Sequence, residues 1–360
     1  MRFLRWLRAN LRIDRFLLLL LGTVALAAVL PASGRWAPVA SDASTIAIGL
    51  LFFLYGARLS TAEALAGLRH WRLHGTVLAA TFVVFPALGL ATQLLPDSVL
   101  PRQLAAGVLF LCCLPSTVQS SIAFTSVARG NVPAAICAAS LSNLVGIVIT
   151  PLLVGLLMST RGGISGQAVL AIAAQLLAPF LLGQLLRRWI GGWIGRHRAV
   201  LSLVDRGSIL LVVYVAFSDG MRAGIWHQLS GAVLVTVVLV NAVLLAAVLA
   251  VTSVVPRWLG FPVDDRITIL FCSSKKSLAS GLPMASVLFA GHGVGLLVLP
   301  LMLFHQLQLM VCAWLAGRLS RRPADAETSD RPTDPVISLG AHSGPVIDRV
   351  PQRYPTGRQA

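Results

Sequence analysis

Apolar runs of about 20 residues recur along nearly the whole chain, parted by short polar stretches, and this pattern predicts a polytopic helical membrane protein. The runs fall near 16–31, 43–57, 73–95, 104–128, 132–158, 167–186, 207–221, 228–255, 267–290 and 293–316. Ten spans predict an all-α fold that divides into five and five. An odd number per half makes the second half enter the membrane inverted, the plan of many secondary transporters. The organisation expected is therefore a basic interfacial amphipathic segment over 1–15, two inverted five-helix repeats over 16–158 and 167–316, and a disordered polar tail over 318–360. The tail is rich in Pro and mixed charge and has no helical or strand period.

Two runs are interrupted at matching depth, the fourth of each half. The fourth span reads Pro115-Ser116-Thr117-Val118-Gln119-Ser120-Ser121 at its centre, and the ninth reads Ser273-Ser274-Lys275-Lys276-Ser277, followed by Ser280, Gly281 and Pro283. Pro115 cannot donate a backbone hydrogen bond and clashes with the preceding turn, so a break is expected there. The hydroxyls and Gln119 are expected to satisfy the freed backbone groups, which lipid cannot. Two half-helices in each repeat would then meet at the midplane and present dipole ends and unwound backbone to a solute. Asn143 and His305, on the fifth and tenth spans, are expected to pack beside the breaks. The other intramembrane polar residues, Gln175, Gln184, Asn241 and Gln308 among them, are expected to make interhelical hydrogen bonds.

Composition sharpens this picture. The chain is 56% hydrophobic and 12% charged, with 29 Lys and Arg residues against 13 acidic ones. Lys275 and Lys276 are its only lysines. A charge at bilayer mid-depth is costly and by default marks a functional site. None of the acidic residues falls at the centre of a span, so the favoured guest is an anion. The net charge of +16 does not read as nucleic-acid binding, because the arginines segregate by loop. With the amino terminus inside, Arg58, Arg69, Arg72, Arg129, Arg187, Arg188, Arg196, Arg198, Arg206, Arg257 and Arg266 fall on the cytoplasmic side. Only Arg35, Arg102, Arg161 and Arg222 fall outside. That asymmetry predicts both termini in the cytoplasm of a bacterial inner membrane, with anionic membrane lipids as partners of the arginines. The five cysteines lie within spans without CxxC spacing and read as small apolar packers.

The strings LPSTVQSSIAFTSVARGNVPAAICAASLSNLVGI (Leu114 to Ile147), FCSSKKSLASGLPMA (Phe271 to Ala285) and HQLQL (His305 to Leu309) resemble the bile acid:sodium symporter superfamily over about residues 10–317. The resemblance is closest to its sodium/bile acid cotransporter seven type branch, to which the SSKKS string is specific. It implies ten helices in a core domain and a panel domain, with unwound fourth and ninth helices crossing at the core's centre. It also implies organic anion transport, driven by two sodium ions in the better-known branch. Carried over by position, the sodium ligands fall at Leu270, Ser274, Ala135 and Ala139, of which the aliphatic ones supply no side-chain oxygen. The resemblance thus suggests that a lysine ammonium fills the place of a sodium ion. Any sodium position that remains is expected near Ser120, Ser121 and Ser140.

The expected function is a secondary carrier of a small organic anion working by alternating access. Its expected substrate site comprises Lys275, Lys276, Ser273, Ser274, Ser277, Pro115, Ser116, Thr117, Gln119, Ser120, Ser121, Asn143 and His305. Two other transport-fold readings stay open, a sodium-coupled symporter with relocated ion sites and a non-transporting regulator. A Ser–Lys dyad enzyme built on Ser273 or Ser274 lacks a third group and an oxyanion loop. No organic cofactor is expected, because the chain carries no nucleotide loop, metal-ligand cluster or haem motif.

Overall fold

In lipid every backbone N–H and C=O must be paired internally, which turns each apolar run into a helix. The computed structural model describes residues 15–58, 70–162, 166–222, 224, 230–289 and 294–322, and these belong to one compact unit, Met1–Pro323. Residues 1–14 of the expected amphipathic opening and 323–360 of the expected polar tail lie outside the described residues; Arg318 and Leu319, expected in the tail, instead close the last helix, because a basic residue suits a helix carboxyl end. The helices are α1 (Arg15–Val29), α2 (Trp36–Arg58), α3 (Trp71–Thr92), α4 (Arg102–Cys113), α5 (Val118–Val127) and α6 (Val132–Gly162). They continue with α7 (Gly166–Arg196), α8 (Arg198–Arg222), α9 (Gly231–Trp258), α10 (Val263–Ser273), α11 (Leu278–Leu288) and α12 (Val294–Leu319). No strand occurs among the described residues.

Every predicted run contains helix among the described residues, and several helices extend beyond it. α7 runs on to Arg196 rather than ending near 186, and α8 begins at Arg198 rather than near 207. The added turns, RRWIGGWIGR and RAVLSLVDR, are basic, and a helix needs internal hydrogen bonds but not an apolar surface. Among the described residues six helices are long and apolar enough to cross a membrane, and the bent pair α4–α5 makes seven. Ten spans were expected. α1 has 15 residues, short of the ~20 that span a bilayer, and the pair α10–α11 carries the two lysines together with Asp264, Asp265 and Arg266.

The helices pack as two groups. α2 lies along α7 and α8, and α1 lies along α8. The remaining helices form the second group, in which α12 packs on α4, α9 and α11, and α10 on α5, α6 and α9. Lipid tails are as apolar as leucine, so helix association here depends on close fit and hydrogen bonds. The α2–α7 contact shows that fit: a Cβ on Gly56 would overlap the Phe180 carbonyl, and one on Gly183 would overlap that of Phe53. In the second group Phe85 meets Phe304 edge-on at 6.1 Å, and Phe110 meets Phe289 at 5.3 Å.

The turn between α5 and α6 ties the two broken pairs together. Arg129 adopts φ 55°, and Asn131 then caps α6 by accepting from the Ala134 N–H at 3.1 Å. The Asn131 amide donates to Asp265 at 2.8 Å, in the first turn of α10. Asp264 and Asp265 there also suit the positive end of the helix dipole.

Candidate site at the crossing of two broken helices

α4 ends where Pro115 requires the preceding residue to be extended, and Leu114 is extended, with ψ 155°. Helix resumes at Val118, and the halves α4 and α5 are bent by 64°. The second break, between Ser273 and Leu278, contains no proline; Ser277 restarts the helix by accepting from the Ser280 N–H at 3.2 Å.

The two breaks exchange hydrogen bonds. The Ser277 N–H donates to the Pro115 carbonyl (2.9 Å), the Thr117 hydroxyl to the Lys276 carbonyl (2.8 Å) and the Ser116 hydroxyl to the Cys272 carbonyl (2.5 Å). Ser121 donates to the Phe271 carbonyl at 3.1 Å. Asn143 reaches across from α6, donating to the Ser116 carbonyl (2.6 Å) and accepting from the Ser280 hydroxyl (2.9 Å). Thr150 donates to the Cys113 carbonyl at 2.8 Å. Side chains thus replace the helical bonds that the breaks remove, and the crossing is held in one arrangement.

Both lysines are fully buried. The Lys276 ammonium donates to three carbonyl oxygens, Thr81 (2.9 Å), Cys112 (2.8 Å) and Leu114 (2.7 Å), and sits 4.1 Å from the centre of the Phe85 ring. Cys112 and Leu114 lie at the carbonyl end of α4. Thr81 lies in a π-helical turn of α3, Ala80–Val84, a turn type in which the i→i−4 ladder is interrupted. An ammonium has three N–H donors, and all three of Lys276 are used. Gln308 clamps the same residue from α12, accepting from its N–H (2.8 Å) and donating to its carbonyl (2.9 Å). His305 Nδ1 lies 2.9 Å from that amide. Lys275 points elsewhere, donating to the Ser120 carbonyl at 2.6 Å with its ammonium 3.8 Å from the centre of the Phe124 ring and 5.4 Å from that of Phe271. Such cation–π contacts strengthen when desolvated.

Beside the crossing is a cavity of 370 Å³, within the ~300–1,000 Å³ range of ligand pockets. Thr117, Gln119, Ser140, Asn143, Ser277 and Ser280 form a polar wall. Phe52, Tyr55, Phe180, Ile209 and Met284 line its apolar part, and Arg58, Asp205 and Arg206 its charged part.

The expected site residues therefore separate. Thr117, Gln119, Asn143 and Ser277 reach the cavity, as does Ser140; neither lysine does. Gln119 faces the cavity as an exposed side chain. Pro115, Ser116 and Ser121 are buried in the crossing. Ser274 is buried 3.9 Å from Cys312, and the Ser120 and Ser273 hydroxyls are shielded without a hydrogen-bond partner. Ala135 and Ala139 are buried apolar positions. Sequence reasoning missed Arg58, Asp205 and Arg206, because each reads as loop-flanking charge; the acidic Asp205 amid a cytoplasmic arginine cluster was the available signal.

A bundle of apolar helices in which two broken helices cross beside a cavity is the architecture of a membrane transporter. The chain belongs to the SBF-like CPA transporter family, which it matches over residues 14–321. It is 56% identical to the uncharacterized protein PA2026 of Pseudomonas aeruginosa, covering 87% of this chain and 95% of that protein. It is 51% identical to YfeH of Escherichia coli, named as a symporter, over 86% of this chain and 94% of the relative. To the mouse protein named sodium/bile acid cotransporter 7 it is 28% identical, over 82% of this chain and 88% of the relative. The latter two relatives carry transporter names, and the family is not enzymatic.

Proposed function

We propose that this protein is a secondary carrier of small organic anions, with the solute held in the cavity beside the crossing. In this reading the ten helical regions span a bacterial inner membrane as two inverted repeats, with both termini cytoplasmic. The two helix groups act as panel and core, and they rock about the solute to give alternating access.

The observation that carries the reading is the electrostatics of the crossing. Arg58–Asp205, Arg102–Asp97 and Arg222–Asp219 are ion pairs among the described residues, and none of them involves a lysine. Among the described residues neither lysine has a carboxylate partner, so the positive charge at the crossing is met only by carbonyl dipoles and aromatic rings. Its field biases the cavity toward an anion. Lys276, with three carbonyl oxygens around its ammonium, has the surroundings of a bound monovalent cation. We take it as a tethered cation that stands in for a free one and makes sodium unnecessary.

The test is uptake into proteoliposomes of taurocholate and of short carboxylates and sulfonates, with an imposed sodium gradient or with choline in its place. Saturable, electrically coupled anion uptake that persists in choline is expected. Absence of flux for every anion tried would sink the carrier reading. A steep sodium dependence would sink the tethered-cation reading alone.

A further inference from the structure

The free face of α7 carries an ordered series. Leu181, Leu185, Arg188, Gly192 and Gly195 recur at steps of four and three residues, which at about 100° per residue sets them on one side of the helix. Leu182, Trp189, Trp193 and Arg196 flank them. The leucines, tryptophans and arginines of this face are all exposed. The opposite side is the packed one, where Ile190 and Ile194 join Leu54, Ala57 and Leu201 and Gly183 meets the Phe53 carbonyl.

Along the axis the face changes from apolar to basic. It is leucine up to Leu185, and Arg188 stands where the apolar run has ended. Tryptophans favour the headgroup level of a membrane, and Trp189 and Trp193 follow at once. The Arg188 guanidinium lies 3.7 Å from the centre of the Trp189 ring, which steadies it beside the helix. No acidic residue occurs between Asp97 and Asp205, and neither Arg188 nor Arg196 has an ion-pair partner among the described residues. Arg72 and Arg322, by contrast, spend guanidinium donors on the carbonyls of Leu259 and Ala128. A guanidinium fork matches phosphate oxygens. Between the two arginines, a Cβ on Gly192 or Gly195 would meet nothing within 4 Å. Glycine is unfavourable inside a helix, and these two serve no helix–helix contact. What they supply is bare backbone that a ligand can approach closely.

We propose that this face of α7 holds one anionic glycerophospholipid. Its phosphate lies over Gly192 and Gly195 between Arg188 and Arg196, which stand about 12 Å apart along the axis. Its acyl chains run back along Leu181, Leu182 and Leu185. The charge of the face and the continuity of its apolar track with the arginines select a lipid over a soluble anion. The site lies outside the cavity and does not depend on which solute the protein carries.

The test is native mass spectrometry of the purified, delipidated full chain in detergent micelles doped with dioleoyl phosphatidylglycerol or dioleoyl phosphatidylcholine. One phosphatidylglycerol per chain should be retained, and phosphatidylcholine should bind far more weakly. Arg188→Gln and Arg196→Gln should each weaken phosphatidylglycerol by about fivefold and leave phosphatidylcholine unchanged. Gly192→Leu fills the open space without altering charge, and it should abolish the preference between the two lipids. Arg257→Gln, at the exposed end of α9, should have no effect. Equal retention of the two lipids by the wild type, or an equal loss in Arg257→Gln, would show diffuse attraction and overturn the site. Displacement of the lipid by excess glycerol phosphate would make it a site for soluble phosphate. A lipid-free dimer that Arg188→Gln dissociates would put a second copy of the chain on this face. Either result overturns the proposal.

Discussion

Lys276→Met keeps most of the side-chain stem of Lys276 and removes its charge and all three donors. The carbonyls of Thr81, Cys112 and Leu114 then lose their ammonium partner in a buried setting. A buried polar group left unpaired costs about 1–3 kcal/mol, so three cost roughly 3–9 kcal/mol. Removing a desolvated charge returns several kcal/mol, which leaves a net loss on the order of 2–4 kcal/mol. At about 2–4 °C per kcal/mol, the melting temperature should fall by roughly 5–15 °C. The vacated oxygen cage should also accept a free monovalent cation. A site with a dissociation constant of about 10 mM would recover about 1.4 kcal/mol in 100 mM sodium. The assay is thermal unfolding of detergent-purified wild type and variant in sodium chloride and in choline chloride of equal ionic strength. Sodium should stabilise the variant and leave the wild type where it is. A variant that melts with the wild type, or that responds equally to sodium and choline, refutes the tethered-cation argument.

Gln308→Leu removes both bonds that clamp the Lys276 backbone; the Lys276 carbonyl keeps the Thr117 hydroxyl, so one buried N–H is left unpaired and a loss of about 1–3 kcal/mol is expected in the same unfolding assay. Gly183→Ala forces a methyl group into the Phe53 carbonyl, and overpacking of that kind should cost about 1–3 kcal/mol in the same unfolding assay. Ser120→Ala and Ser273→Ala remove hydroxyls that are shielded and unpartnered; each should leave the melting temperature unchanged or raise it, because a penalty is removed and no bond is lost.

The ten helical regions were legible because lipid leaves the backbone no alternative, and apolar length alone reports them. The first break was legible for a similarly local reason, since Pro115 forbids the bond and restricts Leu114. The second break has no proline within it, and only its density of serine and charge betrayed it. The directions of the lysines were not legible. Adjacent residues on a helix diverge by about 100°, but within an unwound stretch the divergence depends on which carbonyls await each ammonium. For Lys276 one of these lies 195 residues away in a π-turn that no spacing rule announces. The charged wall was hidden for a related reason: Arg58 and Asp205 are 147 residues apart, and their pairing exists only after α2 and α8 pack. Helix ends were the least legible part, as the basic turns of α7 and α8 show.

The backbone contact at Gly56 and Gly183 has a mechanical consequence. Two helices that interlock at carbonyl oxygens cannot slide past one another without a clash, so in the proposed alternating access α2 and α7 would travel as one strut. A disulfide engineered between them would link parts that never separate and should be silent in uptake. A disulfide spanning the cavity from Phe52 to Met284 would bind the strut to the crossing helices, and it should arrest the protein until a reductant is added.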